Sequence, residues 1–226
     1  MAVPSYAGTT REAGPVTTAT QMFLGLTMLA AIGDWVAAHG EHKMLEYVCK
    51  PAVMVFLLGV TLSIEPAQAS RWLFVGAVLF SLAGDVFLML PDRKRWFIFG
   101  LASFLLGHLC YIPGLWTRGV TLAPFAVGLL IVVVGAAVVG RTVLAAVQRE
   151  RPKLLVPVVV YMGVLGLMAA SAIGTALPIV VLGGLLFFAS DSTLAWNEFV
   201  KPFPFARVAI HVTYHLGQIG LVLALL

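Results

Sequence analysis

Eight apolar runs, at residues 20–38, 49–64, 70–90, 96–116, 120–140, 154–172, 174–195 and 206–226, occupy nearly all of this 226-residue chain. Each is close to the roughly 20 residues that a helix needs to cross the hydrocarbon of a bilayer. The runs lack strand-like alternation, and in lipid only helices and closed barrels satisfy their own backbone. The expected fold class is therefore all-α, a polytopic membrane protein of about eight transmembrane helices. The composition agrees, at 61% hydrophobic and 11% charged, against about 25% charged in an ordinary soluble domain. With so much of the chain committed to the membrane, residues 20–226 read as one transmembrane domain and residues 1–19, rich in Gly, Pro, Thr and Ala, as a flexible tail without a cleaved signal peptide.

The basic residues test the topology. The tail and the even-numbered connections hold 3 of the 14 lysines and arginines, and the odd-numbered connections hold 11. Such an asymmetry fits an even number of helices with the basic face in the cytoplasm, in a bacterial cytoplasmic membrane or a eukaryotic endoplasmic reticulum. The net charge of +4 is accounted for by these loops and by anionic lipid, so no nucleic-acid partner is expected. Cys49 and Cys110 are too few and too far apart for a disulfide framework or a metal knuckle.

On this topology the polar residues of the spans gather at one depth, toward the basic face. Asp34 stands near the end of the first helix, Lys50 at the start of the second, Asp85 near the end of the third and Asp191 near the end of the seventh. His211, Tyr214, His215 and Gln218 fall in the first half of the eighth. An ionisable group in a membrane helix is costly unless it faces protein or water, so Asp85 and Asp191 are the first functional candidates. The ordinary alternative for Asp85 is a helix-end carboxylate paired with Arg93 or Lys94. Asp34, followed by Trp35 and a polar loop, reads more readily as interfacial. Lys50 before Pro51 reads either as a snorkelling lysine or as a phosphate contact. The segments around Asp85 and Asp191 faintly echo one another, as a four-plus-four parallel repeat would require.

His211 and His215 share a helix face with Tyr214 and Gln218. With nearby carboxylates they offer a zinc site of three protein ligands and a water, or else a hydrogen-bonding stripe for a polar head group. His108 lies deeper, as a packing residue or a ligand contact. No G-x-S-x-G, H-E-x-x-H, C-x-x-C or P-loop motif occurs. Two further readings stay open: a zinc-dependent membrane lipid amidase or hydrolase, and a non-enzymatic lipid carrier.

Five segments carry a family resemblance: Cys49-Lys50-Pro51, Gly84-Asp85-Val86-Phe87-Leu88, Gly107-His108-Leu109-Cys110-Tyr111, Leu186 through Asp191 to Asn197 and Phe199, and Thr213-Tyr214-His215-Leu216-Gly217-Gln218. In order and spacing they resemble the signature segments of the YhhN family of lysoplasmalogenases, with His215 a departure from the pattern. The resemblance implies hydrolysis of the vinyl-ether bond of lysoplasmalogens to a fatty aldehyde and glycerophosphoethanolamine or glycerophosphocholine, with no cofactor and no metal. It implies Asp85 and Asp191 as the catalytic pair, one as general acid and the other ionised. Lys50, His108, Tyr111, Asn197, His211, Tyr214 and Gln218 are then expected to bind substrate. Paired carboxylates suit this chemistry, since protonation of the alkene gives an oxocarbenium ion of the kind met in glycoside hydrolysis.

Overall fold

A computed structural model describes residues 16–226 of the chain. Among the described residues there is no strand, and eight helical spans are long and apolar enough to cross a membrane. The protein is an integral membrane helical bundle. Most of the tail expected over residues 1–19 lies outside the described residues, and the first helix, α1, already begins within it (Thr18–His39). The Thr17 hydroxyl caps α1 by accepting the Thr20 backbone N–H at 3.1 Å, satisfying one of the four donors a helix start leaves unpaired.

The helices that follow are α2 (Lys43–Ser63), α3 (Arg71–Met89), α4 (Arg93–Trp116), α5 (Leu122–Gly135), α6 (Arg141–Glu150), α7 (Leu155–Gly174), α8 (Pro178–Phe199) and α9 (Ala206–Val222). A π-helical turn, Ala136–Gly140, joins α5 to α6, so the two make one span. The apolar run ends at 140, yet the helix continues to Glu150. Val143, Ala146 and Val147 are buried on one face of α6, at the i, i+3, i+4 spacing that keeps an amphipathic segment helical after its hydropathy has dropped. A second boundary also moves. Lys50-Pro51 was expected to open a helix, but α2 starts at Lys43, so Pro51 sits inside it. The mixed segment from Lys43 to Val48 is helical without being apolar, and Lys50 is thereby drawn from the interface into the bundle. Between α7 and α8 the break falls at residues 175–177, with Ala176 in the left-handed region (φ 56°) and Pro178 at the first helical position, where its missing N–H costs nothing.

Consecutive spans lie side by side in each half of the chain, and the halves meet through α4 with α7 and through α9 with α1 and α2. Contacts of the fourth span with the sixth, and of the eighth with the second, are the pair that an axis exchanging the two halves generates. Large side chains point outward, as at Leu122, 81% exposed, a placement suited to acyl chains rather than water. The interior is held by small residues as much as by large ones. A Cβ on Gly183 would lie 2.7 Å from the Gly220 backbone, and one on Gly217 would lie 2.9 Å from the Phe187 nitrogen. Without a hydrophobic force between helices in lipid, such close backbone approach supplies the packing. It clamps α8 to α9 and sets Asp191 beside the polar face of α9.

Candidate functional site

A polar chamber of about 590 Å³ opens at the end of the bundle that carries Lys43 and Arg207. Its walls are Glu46, Tyr47 and Lys50 of α2, Asp85 and Leu88 of α3, Phe104 of α4, Ser190, Asp191 and Asn197 of α8, and His211 and Tyr214 of α9. Asp85 is 1% exposed and fully engaged: the Lys50 ammonium lies 3.1 Å from Oδ1, and the Tyr214 hydroxyl donates to Oδ2 at 2.7 Å. Arg93 and Lys94, the partners that the helix-end reading of Asp85 named, have side chains that lie outside the described residues. A buried carboxylate needs a counter-charge and hydrogen bonds together, and here α2 supplies the first and α9 the second. The Tyr214 ring is wedged edge-on against Phe104 and Phe187, which fixes where its hydroxyl points.

Asp191 has different company. The Tyr161 hydroxyl of α7 donates to its Oδ2 at 2.5 Å, and His108 Nε2 of α4 lies 3.5 Å from the same oxygen. His108 and Tyr161 are themselves 3.1 Å apart. Asp191 also lines a second cavity of about 300 Å³, enclosed by α4, the α5–α6 span, α7 and α8. That cavity is apolar over nearly all its wall, from Phe97, Leu101 and Val132 to Met162 and Phe188, and it shares Leu88, Phe104, Asp191 and Leu194 with the polar chamber. Asp191 is the carboxyl group common to both.

A third cluster lies behind the chamber. Asp34 is wholly buried, so the interfacial reading fails: α9 packs across the end of α1 and takes this carboxylate out of the head-group zone. His211 Nδ1 lies 2.7 Å from Asp34 Oδ2, while Trp35 Nε1 donates to His215 Nδ1 at 3.1 Å. At the mouth, Arg207 is hydrogen-bonded to Glu46. The two histidines thus share a face of α9 but have different partners. Among the described residues no group of three or more His, Cys, Asp or Glu side chains is arranged to hold a metal ion.

Of the residues singled out in the sequence, Lys50, Asp85, Asp191, Asn197, His211 and Tyr214 line the chamber. His108, Tyr111 and Gln218 line neither cavity. His108 reaches the site through Asp191 and Tyr161. Tyr111 donates to Gln218 Oε1 at 2.5 Å in the core one turn below Tyr214, too deep to meet a ligand in the chamber directly. Tyr161, Glu46 and Arg207 were not foreseen. For Tyr161 the signal was available, a lone hydroxyl in VPVVVYMGVLG that needs a partner in lipid.

A family model described as the YhhN family matches residues 45–225. Among curated proteins, the chain is 32% identical over 184 residues to rat "Lysoplasmalogenase TMEM86B", covering 79% of this chain and 71% of the relative. It is 32% identical over 182 residues to a Mycobacterium tuberculosis protein named "Lysoplasmalogenase", covering 79% and 69% of the two chains. Bovine "Lysoplasmalogenase TMEM86A" is 29% identical over 222 residues, covering 93% of this chain and 86% of the relative. No solved structure matches. The family match takes in every residue that lines the chamber except Lys43, and by it the chain belongs to the YhhN family.

Proposed function

We propose that this chain is a lysoplasmalogenase, hydrolysing the vinyl-ether bond of a lysoplasmalogen to a fatty aldehyde and glycerophosphoethanolamine or glycerophosphocholine, with residues 20–226 acting as one membrane domain. The observation that carries the reading is the junction at Asp191 of a charged chamber with an apolar cavity. An amphipathic lipid with one chain fits such a pair, head group in the chamber and alkenyl chain in the cavity. The names of the relatives point the same way.

The chemistry then divides the two carboxyl groups. Acid hydrolysis of a vinyl ether begins with proton transfer to the alkene carbon farther from oxygen, on the chain side of the bond. Asp191, at the chain side of the chamber, is the general acid, and Tyr161 and His108 orient it. The developing oxocarbenium ion faces Asp85, whose carboxylate is paired with the Lys50 ammonium and accepts from the Tyr214 hydroxyl. This preorganised negative charge stabilises the cation without accepting a proton. Lys50, with Lys43 and Arg207 at the mouth, meets the phosphate, while Asn197 and Tyr214 orient the glycerol and head group. The chamber faces the cytoplasm, in keeping with the 11 basic residues of the odd-numbered connections.

Purified protein incubated with a mixed lysophospholipid pool, with products identified by mass, tests the substrate. Aldehyde appearing only from the alkenyl lipids is the expected result, and fatty acid released from acyl lipids would overturn it. For orientation, a cysteine placed at exposed Arg149 should react with an impermeant maleimide only from the cytoplasmic side of sealed vesicles.

A further inference from the structure

Two protons must be taken up once the cation has formed, that of the attacking water and that of the hemiacetal hydroxyl, and Asp191 takes back only one of them. Asp85 has one oxygen on Lys50 and the other on Tyr214. Asp191 has just delivered its proton and must recover one before the next turnover. Glu46 is occupied by Arg207.

His211 remains. It lines the chamber, and its Nδ1 lies 2.7 Å from Asp34 Oδ2, where a carboxylate accepts an Nδ1–H. That bond fixes the tautomer and leaves the lone pair on Nε2, which lies 3.7 Å from Glu46 Oε1, too far for a hydrogen bond. Asp34 is wholly buried, its Oδ1 has no hydrogen-bond partner, and among the described residues its only ion-pair partners are His211 and, at 3.8 Å, His215. A buried carboxylate aimed at one ring nitrogen orients the imidazole and stabilises its protonated form, as in the dyad of serine hydrolases. The other charged groups around His211 are Lys50 and Glu46 on α2 and Arg207 on α9, all paired.

Resting on the lysoplasmalogenase reading, we infer that His211 is the water-activating base, with Asp34 as its positioning residue. Water attacks the carbon attached to the ether oxygen, a C–O bond forms, and the π electrons of the oxocarbenium return to that oxygen. The proton lost by water goes to His211 Nε2. The imidazolium then protonates the glycerol-side oxygen of the hemiacetal as its C–O bond breaks. The hemiacetal hydroxyl gives its proton to Asp191, and aldehyde and alcohol leave with both groups restored.

The test is aldehyde release from a purified lysoplasmalogen by wild type, His211→Ala and Asp34→Asn, with and without added imidazole. His211→Ala is expected to lose about 100-fold or more in kcat, with KM changed by less than about threefold. Imidazole, small enough for the opened chamber, should restore roughly tenfold of the loss in His211→Ala and none in Asp34→Asn. Asp34→Asn, nearly isosteric and so a guard against misfolding, should lose about 10-fold or more in kcat, again at nearly constant KM. Either variant within about threefold of wild type overturns the inference, as does a monodisperse His211→Ala protein that imidazole leaves inactive. Wild-type protein that releases no aldehyde overturns the substrate reading, and this inference falls with it.

Discussion

Asp85 and Asp191 both border one chamber, yet no residue bonds to both. Asp85 is gripped by a cation and a phenol from α2 and α9. Asp191 is held by a phenol and an imidazole from α7 and α4, with an apolar cavity at its back. The proposed mechanism gives the two carboxyl groups opposite tasks, and their partners differ accordingly. Two identical side chains are thereby suited to opposite tasks, and helix packing rather than local sequence makes the difference.

The largest expected effect separates those tasks. Asp191→Asn cannot supply a proton and should lower the rate of aldehyde release by about a thousandfold. Substrate affinity, measured by binding of a saturated ether analogue, should change little. Asp85→Asn should also be slow, but with a different signature, because Lys50 is left buried without its counter-charge. Removing one member of a buried pair costs about 3–5 kcal/mol, while replacing both with apolar groups is often neutral. Lys50→Met should therefore lower the melting midpoint in detergent, and Lys50→Met combined with Asp85→Leu should recover most of it while remaining inactive. Equal melting of the single and double variants would show that the pair is not the buried unit described here.

A smaller effect compares the two phenols. Tyr161→Phe and Tyr214→Phe each delete one hydrogen bond to a carboxyl group, worth about 1.5–3 kcal/mol where the acceptor is charged. On the proposed mechanism Tyr214→Phe weakens the carboxylate that faces the cation and should reduce kcat by roughly tenfold or more. Tyr161→Phe acts on the proposed proton donor, so on that mechanism the loss falls on the transition state, in kcat and kcat/KM equally. A Tyr161→Phe variant that raised KM alone would place Asp191 in binding rather than in proton transfer.

How much of this was legible follows from what lipid forbids. A charge in a twenty-residue apolar run needs a reason, so Asp85, Asp191, Lys50 and the polar face of α9 stood out, and the depth argument correctly brought them to one end of the bundle. The pairing was not legible, because which helix face meets which depends on small residues such as Gly183, Gly217 and Gly220, whose contacts leave no periodic signal. Asp34 was misjudged for a related reason. Its neighbours in sequence, Trp35 and the loop to His42, look interfacial, but α9 covers it in space. Tyr161 was passed over since a tyrosine in an apolar run reads as packing. The helix beyond residue 140 was missed because hydropathy marks the membrane boundary, not the end of hydrogen bonding.

The smallest expected effect concerns the apolar side of the comparison. Four glycines, Gly100, Gly135, Gly140 and Gly163, line the cavity behind Asp191. A Cβ on Gly140 would come 2.6 Å from Met162 Cε, and one on Gly135 would come 3.1 Å from the Phe188 ring, so substitution there disturbs packing. At Gly163 a Cβ meets nothing within 4 Å. Gly163→Leu thus adds bulk beside the cavity from a Cβ that meets no neighbour, and in a helix interior it removes a glycine penalty of about 1 kcal/mol. Folding should not suffer, but the cavity narrows. Each methylene kept from apolar contact costs about 0.8 kcal/mol, so kcat/KM for long alkenyl chains should fall roughly three- to tenfold relative to short ones. If long and short chains are slowed alike, the chain lies elsewhere, and Asp191 loses the apolar neighbour that distinguishes it from Asp85. A selective loss would tie the acid to the chain side of the bond it protonates.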